Sequence, residues 1–158
     1  MKLIPAIDLK DNKCVRLIKG KEQSAILYNT NPVEQAKYFE GQGCERIHII
    51  DLDAAFGRPK INRETITNIG KSVKIPIQLG GGIRSKEDAK FWLENNIEYL
   101  IIGSLAITQS SLVKEIAEEF QNKIYIAMDV LGFDEVMIKG WVENSKLRTK
   151  NVHEIYCE

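Results

Sequence analysis

Five short apolar runs, each followed by a helical pattern, constrain this chain more than any other feature. The runs are Leu3–Leu9, Arg46–Leu52, Ile75–Leu79, Tyr99–Ile102 and Ile124–Val130. They are rich in Ile, Leu and Val with little internal polar alternation, the pattern of strands covered on both faces. Between them lie helical segments. Asn31 is placed to cap the first and Pro32 to open it, and it runs out at the Gly41–Gly43 region. The second spans Asn62 to Ser72, the third reads SKEDAKFWLENN with Ser85 and Asp88 at its start, and the fourth, SSLVKEIAEEF, begins near Ser110. Strand and helix in strict alternation predict an α/β fold with a parallel sheet. Two short hairpin strands, Cys14–Ile18 and Val136–Lys139, decorate the first and fifth loops.

Such an alternation fits either a five-stranded doubly wound sheet or part of a (βα)8 barrel. A repeat favours the barrel. The stretch LIPAIDLKDNKCVRL returns as IYIAMDVLGFDEVMIKG, so that Ala6 and Ala127, Asp8 and Asp129, and Val15 and Val136 are each 121 residues apart. A unit of that length holds four βα modules, and two units make a barrel of roughly 240 residues. The expected organisation is therefore a single, incomplete barrel domain, with residues 1–121 as a first half and 122–158 as the start of a second, shortened at its C-terminal end. Its first and fifth strands are expected to be open edges that promote self-association.

Bulk properties narrow the functional classes. Hydrophobic residues make up 44% and charged residues 28% of 158, as in a folded domain. Lys and Arg number 22 against 22 Asp and Glu, so no global positive field points to nucleic acid or a membrane surface. The three cysteines, Cys14, Cys44 and Cys157, show neither metal spacing nor even pairing, which suits a reducing, cytoplasmic setting.

In a parallel barrel the chemistry gathers at the C-terminal ends of the strands. Asp8, Asp51 and Asp129 are placed at such ends. Asp8 and Asp129, related by the repeat, would face each other across the barrel mouth, an arrangement suited to proton abstraction on one side and donation on the other. Each acid can equally cap its loop through backbone N–H groups; recurrence in both halves points to chemistry. Gly80–Gly81–Gly82 with Ser85, and Gly103–Ser104 after the next strand, offer backbone amides and a hydroxyl to a phosphate, with Arg84 adding charge. The same loops can be no more than tight turns. Trp141 can stack on a flat heterocycle or pack its hairpin onto the barrel top. Trp92, at helical spacing with Ala89, reads as packing, His48 as a core histidine and His153 as solvated.

IPAIDLKDNKCVRL, HIIDLDAAFG, IQLGGGIRS, YLIIGSLA and IAMDV…IKGW together resemble the histidine-biosynthesis isomerases, the phosphoribosylformimino-5-aminoimidazole carboxamide ribotide isomerase family, over about the first 145 residues. The resemblance implies an Amadori rearrangement of an aminoaldose to an aminoketose, with no metal or cofactor, on a ribotide carrying a phosphate at each end. It assigns proton acceptance to Asp8 and proton donation to Asp129. It assigns one phosphate site to Gly82, Gly103 and Ser104, which the reading of the loops extends to Gly81 and Arg84, and cover over the imidazole to Trp141. The family's sixth strand with a further aspartate, and the glycine loops of its second phosphate site, have no match in residues 1–158, so little turnover is expected of this chain alone. The family's intact members are expected to be monomers. Two readings stay beside this one: the related cyclase subunit of imidazole glycerol phosphate synthase, and a non-catalytic phosphate-binding half-barrel.

Overall fold

The structure is a computed structural model that describes residues 3–18, 20–138 and 143–157. Its elements in chain order are β1 (Ala6–Lys10), β2 (Lys13–Ile18), β3 (Lys21–Asn29), α1 (Pro32–Gly41), β4 (Ile47–Asp51), α2 (Leu52–Ala55), α3 (Arg63–Ser72) and β5 (Ile77–Gly80). There follow α4 (Lys86–Glu94), β6 (Tyr99–Ile102), α5 (Ser104–Thr108), α6 (Ser110–Glu119), β7 (Ile124–Ile126), β8 (Asp129–Leu131), β9 (Glu135–Ile138), β10 (Glu143–Arg148) and α7 (Thr149–Cys157). Strands β1, β4, β5, β6 and β7 pair in parallel in that order, and β2 and β3 extend the same sheet antiparallel beyond β1.

Local chemistry explains the helix starts. Pro32 occupies the first turn of α1, and the Asn31 side chain accepts from the Glu34 N–H at 3.3 Å. Ser85 caps α4 through the Asp88 N–H at 3.1 Å. Trp92 packs on α4 beside Ala89 as expected, edge-on to Phe91. The Arg63 guanidinium lies 4.0 Å from the Phe91 ring centroid, tying α3 to α4.

The sheet is not covered on both faces, contrary to the reading of its apolar runs. Ile7, Leu9, Ile47, Ile49, Leu79, Leu100 and Ile102 are sealed against the helices. The intervening Asp8, His48, Ile50, Gln78, Tyr99 and Ile101 are only half-buried. This second, inner face carries an aromatic and polar ladder. Arg46 lies 4.4 Å from the Tyr99 ring centroid and bonds Gln78, Gln78 meets Nδ1 of His48 at 3.1 Å, and Tyr99 packs edge-on to Tyr125. His48 is thus a partnered inner-face residue rather than a core one, and its burial holds its pKa below the usual histidine range.

Two further expectations change. The edges of the main sheet are β3 and β7, because the β2–β3 hairpin folds back on β1 with Asp8 opposite Val15. The run Ile124–Val130 breaks at Ala127–Met128; β8 leaves the main sheet and builds a separate one with β9 and β10. The strands β3 and β10 and the short helices α2 and α5 are additions to the elements read from sequence. Among the described residues, no helix is long and apolar enough to cross a membrane.

One-sided packing has a measurable signature. Truncating Ile49, fully buried against the helices, to Ala is expected to cost about 3 kcal/mol in urea unfolding. Truncating the half-buried Ile101 on the other face is expected to cost about 1 kcal/mol.

Candidate functional site

Asp8 sits within β1, on the opposite side from the sealed Ile7 and Leu9, and so on the inner face. Burial pushes its carboxyl pKa up, and the nearby Arg16 guanidinium on β2 pulls the other way. Tyr28, on β3, has its phenol pushed up to about 12, by burial first and then by Cys14, with Asp8 contributing. The β2–β3 hairpin therefore carries a cation and a phenol within electrostatic reach of the carboxylate.

The glycine loops come after the next strands. Gly81 and Gly82 both take positive φ, 97° and 72°. A Cβ on Gly81 would overlap the Asp51 backbone, and one on Gly82 would overlap Ala54. Close packing on the β4–α2 turn thus demands glycine here, whatever else the loop holds. Arg84 donates from its guanidinium to the Ala55 carbonyl at 3.2 Å, joining this loop to the same turn. Gly103 precedes α5, and Ser104 is that helix's first residue. A Cβ on Gly103 would meet only the Ala127 carbonyl oxygen, at 3.8 Å, so this loop lies against the segment leading to Asp129. Asp129 opens β8 rather than ending a strand of the main sheet, and it pairs with Met137. Trp141 lies outside the described residues.

Underneath β1 lies a cluster that the sequence pattern alone does not assemble. Asp51, Asp53 and Asn62 are buried polar residues. The Asn62 amide nitrogen donates to Asp51 Oδ1 at 2.8 Å, Asp53 Oδ2 at 3.0 Å and the Leu9 carbonyl at 3.3 Å. Its carbonyl oxygen accepts from the Asn12 N–H at 2.8 Å, and Asp53 Oδ2 accepts from the Asp11 N–H at 2.7 Å. Arg58 closes the cluster with bonds to Asp53 at 2.9 and 3.0 Å and an ion pair to Glu22 on β3. The signal in the sequence is D-x-D at the end of a strand, with Arg five residues and Asn nine residues after the second acid. Of these, only Asp51 stands out in the sequence as a strand-end acid.

Residues 2–157 match the family model described as Histidine biosynthesis protein. The chain belongs to that family. Members of this family are (βα)8 barrels, and the five parallel strands here form part of such a sheet. An isomerase of Chelativorans sp. (strain BNC1) is 44% identical over 147 residues, covering 93% of this chain and 60% of its own length. One from Campylobacter fetus is 40% identical over 159 residues, 100% of this chain and 66% of its own. One from Azospirillum brasilense is 40% identical over 149 residues, 94% and 58%. All three are named 1-(5-phosphoribosyl)-5-((5-phosphoribosylamino)methylideneamino) imidazole-4-carboxamide isomerase. The chain spans about three-fifths of the length of these curated relatives.

In this family member the buried acids are unequal. Asp53 has Arg58 and a backbone N–H as partners. Asp51 Oδ1 accepts from the Ala54 N–H at 3.0 Å and from Asn62, whereas its Oδ2 is buried without a hydrogen-bond partner among the described residues. Burial, the largest influence, raises the Asp51 pKa, and the bonds to Ala54 and Asn62 offset part of that rise. A raised folded-state pKa makes Asp51's contribution to stability complete below the unfolded value, and that contribution is lost as pH climbs through the folded value. Asp51→Asn keeps the acceptor oxygen and removes the titration. The variant is expected to match the parent in melting temperature near pH 4 and to exceed it increasingly as pH rises toward neutrality, as read by calorimetry across that range.

Proposed function

We propose that this chain supplies part of the active site of an aldose–ketose isomerase of histidine biosynthesis. The observation that carries the reading is the 40–44% identity to isomerases over 93% to 100% of the chain. The reaction is an Amadori rearrangement. A general acid opens the ribose ring of the aminoaldose to a Schiff base, a base removes the C2′ proton, and the enolamine becomes the ketone.

Asp8 is the proposed base. Its half-buried position and raised pKa bring it nearer the working pH than a solvated aspartate. Asp129 is the proposed acid. Gly81, Gly82, Gly103 and Ser104 bind one phosphate with backbone amides and a hydroxyl, Arg84 adds positive charge, and Trp141 covers the imidazole. On this reading residues 1–121 form a first half-barrel and 122–158 begin a second, which shares the pocket from the other side. The substrate is a ribotide with two phosphates, and the groups for its second phosphate are not among residues 1–158. The uncovered inner face and the strand edges β3 and β7 also favour self-association of the isolated chain.

The test joins residues 1–147 of this chain to the remaining two-fifths of one of its isomerase relatives and assays the isomerase and cyclase substrates side by side. Turnover of the isomerase substrate is expected, with Asp8→Asn lowering kcat on the order of 10² to 10⁴-fold. Retention of kcat by Asp8→Asn, or turnover of the cyclase substrate alone, would count against the proposal. The 158-residue chain assayed by itself is expected to show little turnover, and sedimentation velocity is expected to find it in more than one association state at micromolar concentration.

A further inference from the structure

We propose that Asn62 and Asp53 are positioning residues for Asp8, clamping the backbone from Leu9 to Asn12 immediately after it. The inference rests on the reading of Asp8 as the proton acceptor and adds to it the device that holds the carboxylate in place.

The geometry is specific. Asn62 occupies the N-cap position of α3, yet its side chain makes no cap bond. An Asn in that position ordinarily satisfies an orphan N–H of its own helix. Here the side chain instead reaches the Leu9 carbonyl and the Asn12 N–H, residues 53 and 50 positions earlier in the chain. Asp53 takes the Asp11 N–H between them. Three contacts thus fix a turn in which Asp11 and Asn12 both have positive φ, 49° and 60°. Asp53 and Asn62 are themselves fully buried, and they reach up to the backbone of an exposed turn, Asp11–Asn12.

The clamp acts on Asp8 by two routes. Leu9 is its direct neighbour, so holding the Leu9 carbonyl fixes the peptide that carries it. The turn also sets the β1–β2 register, with Asp8 opposite Val15, and so keeps Arg16 and Tyr28 within electrostatic reach of the carboxylate. Arg58 extends the brace to the far strand of the hairpin through Glu22.

The experiment titrates Asp8 directly by carboxyl ¹³C NMR in the 158-residue chain, with the resonance assigned by its disappearance in Asp8→Asn. No substrate is needed, so the result judges the clamp whether or not Asp8 proves to be the base. Asn62→Ser is the principal variant, because serine can cap α3 and keep the helix while it cannot span the distance to β1. Asn62→Ala and Asp53→Asn are its companions. Ile49→Ala serves as a control that loosens the core without touching the clamp. Burial is the larger influence on Asp8, so releasing the hairpin is expected to lower its midpoint toward the ordinary aspartate value in the clamp variants and to leave it in place in Ile49→Ala. An unmoved Asp8 midpoint in folded Asn62→Ser, or an equal movement in Ile49→Ala, would overturn the proposal.

Discussion

One side-chain amide, that of Asn62, joins β1 to the β4–α2 turn and to the start of α3, and much of the C-terminal edge of the sheet depends on it. It has two N–H groups and three acceptors within reach: Leu9 O, Asp51 Oδ1 and Asp53 Oδ2. Asp51 Oδ2 lies outside that reach, buried and without a hydrogen-bond partner among the described residues. Two ionised carboxylates sharing one dry site would repel strongly. The structure resolves this by treating them differently. Asp53 receives Arg58, and burial drives Asp51 toward its protonated form. The glycines of the next loop press on the same turn, where any Cβ would collide with Asp51 or Ala54. The turn beneath the proposed phosphate loop and the turn after the proposed base are therefore parts of one packed unit.

The second constraint is the asymmetry of the sheet. Helices cover one face with a continuous layer of Ile and Leu, while the other carries charged, aromatic and amide groups that partner one another. In an eight-stranded barrel that inner face is a packed core. The Arg46–Gln78–His48 chain and the edge-to-face Tyr99–Tyr125 pair link side chains across four neighbouring strands, β4 to β7. Cation–π and edge-to-face contacts suit this position, because they hold partly hydrated groups in register without full burial.

Much of this is legible in the sequence, and the exceptions have physical reasons. Five parallel strands and four helices come from apolar runs, caps and glycines, and Tyr99–Ile102 is placed to the residue. The expectation of two covered faces fails because Ile50, Ile101 and Tyr125 are apolar yet half-exposed, and hydropathy does not say which neighbour is absent. Strand β3, with the sequence KEQSAILYN, shows no clean alternation because most of it is exposed; its strandedness comes from pairing with β2, a tertiary fact. The Asp53–Asn62 clamp is hidden in the sequence because its members are separated from the turn they hold by 42 and 50 residues. In the sequence Asn62 reads only as the start of the second helix; its side chain makes no cap bond there and holds the β1 turn instead.

Each unit of the 121-residue repeat opens with a hairpin after its aspartate, and the two hairpins are related in sequence and differently anchored. The first turns at Asp11–Asn12, two residues with positive φ, and pairs Asp8 with Val15. The second turns at Gly132–Phe133–Asp134, and its extra residue moves the register by one, so that Asp129 faces Met137 rather than Val136. The first turn is held from below by the buried side chains of another βα loop. The second is held by the start of α7 and the end of β10, through the Thr149 N–H on the Asp134 carbonyl and Arg148 on the Asp134 carboxylate at 2.7 Å. Abstraction of a proton from carbon is intolerant of misalignment, whereas protonation of a ring oxygen can proceed through a wider set of approaches. The stiffer anchor lies beneath the residue proposed for the more demanding transfer, which gives a physical reason for two related aspartates to divide the work unequally.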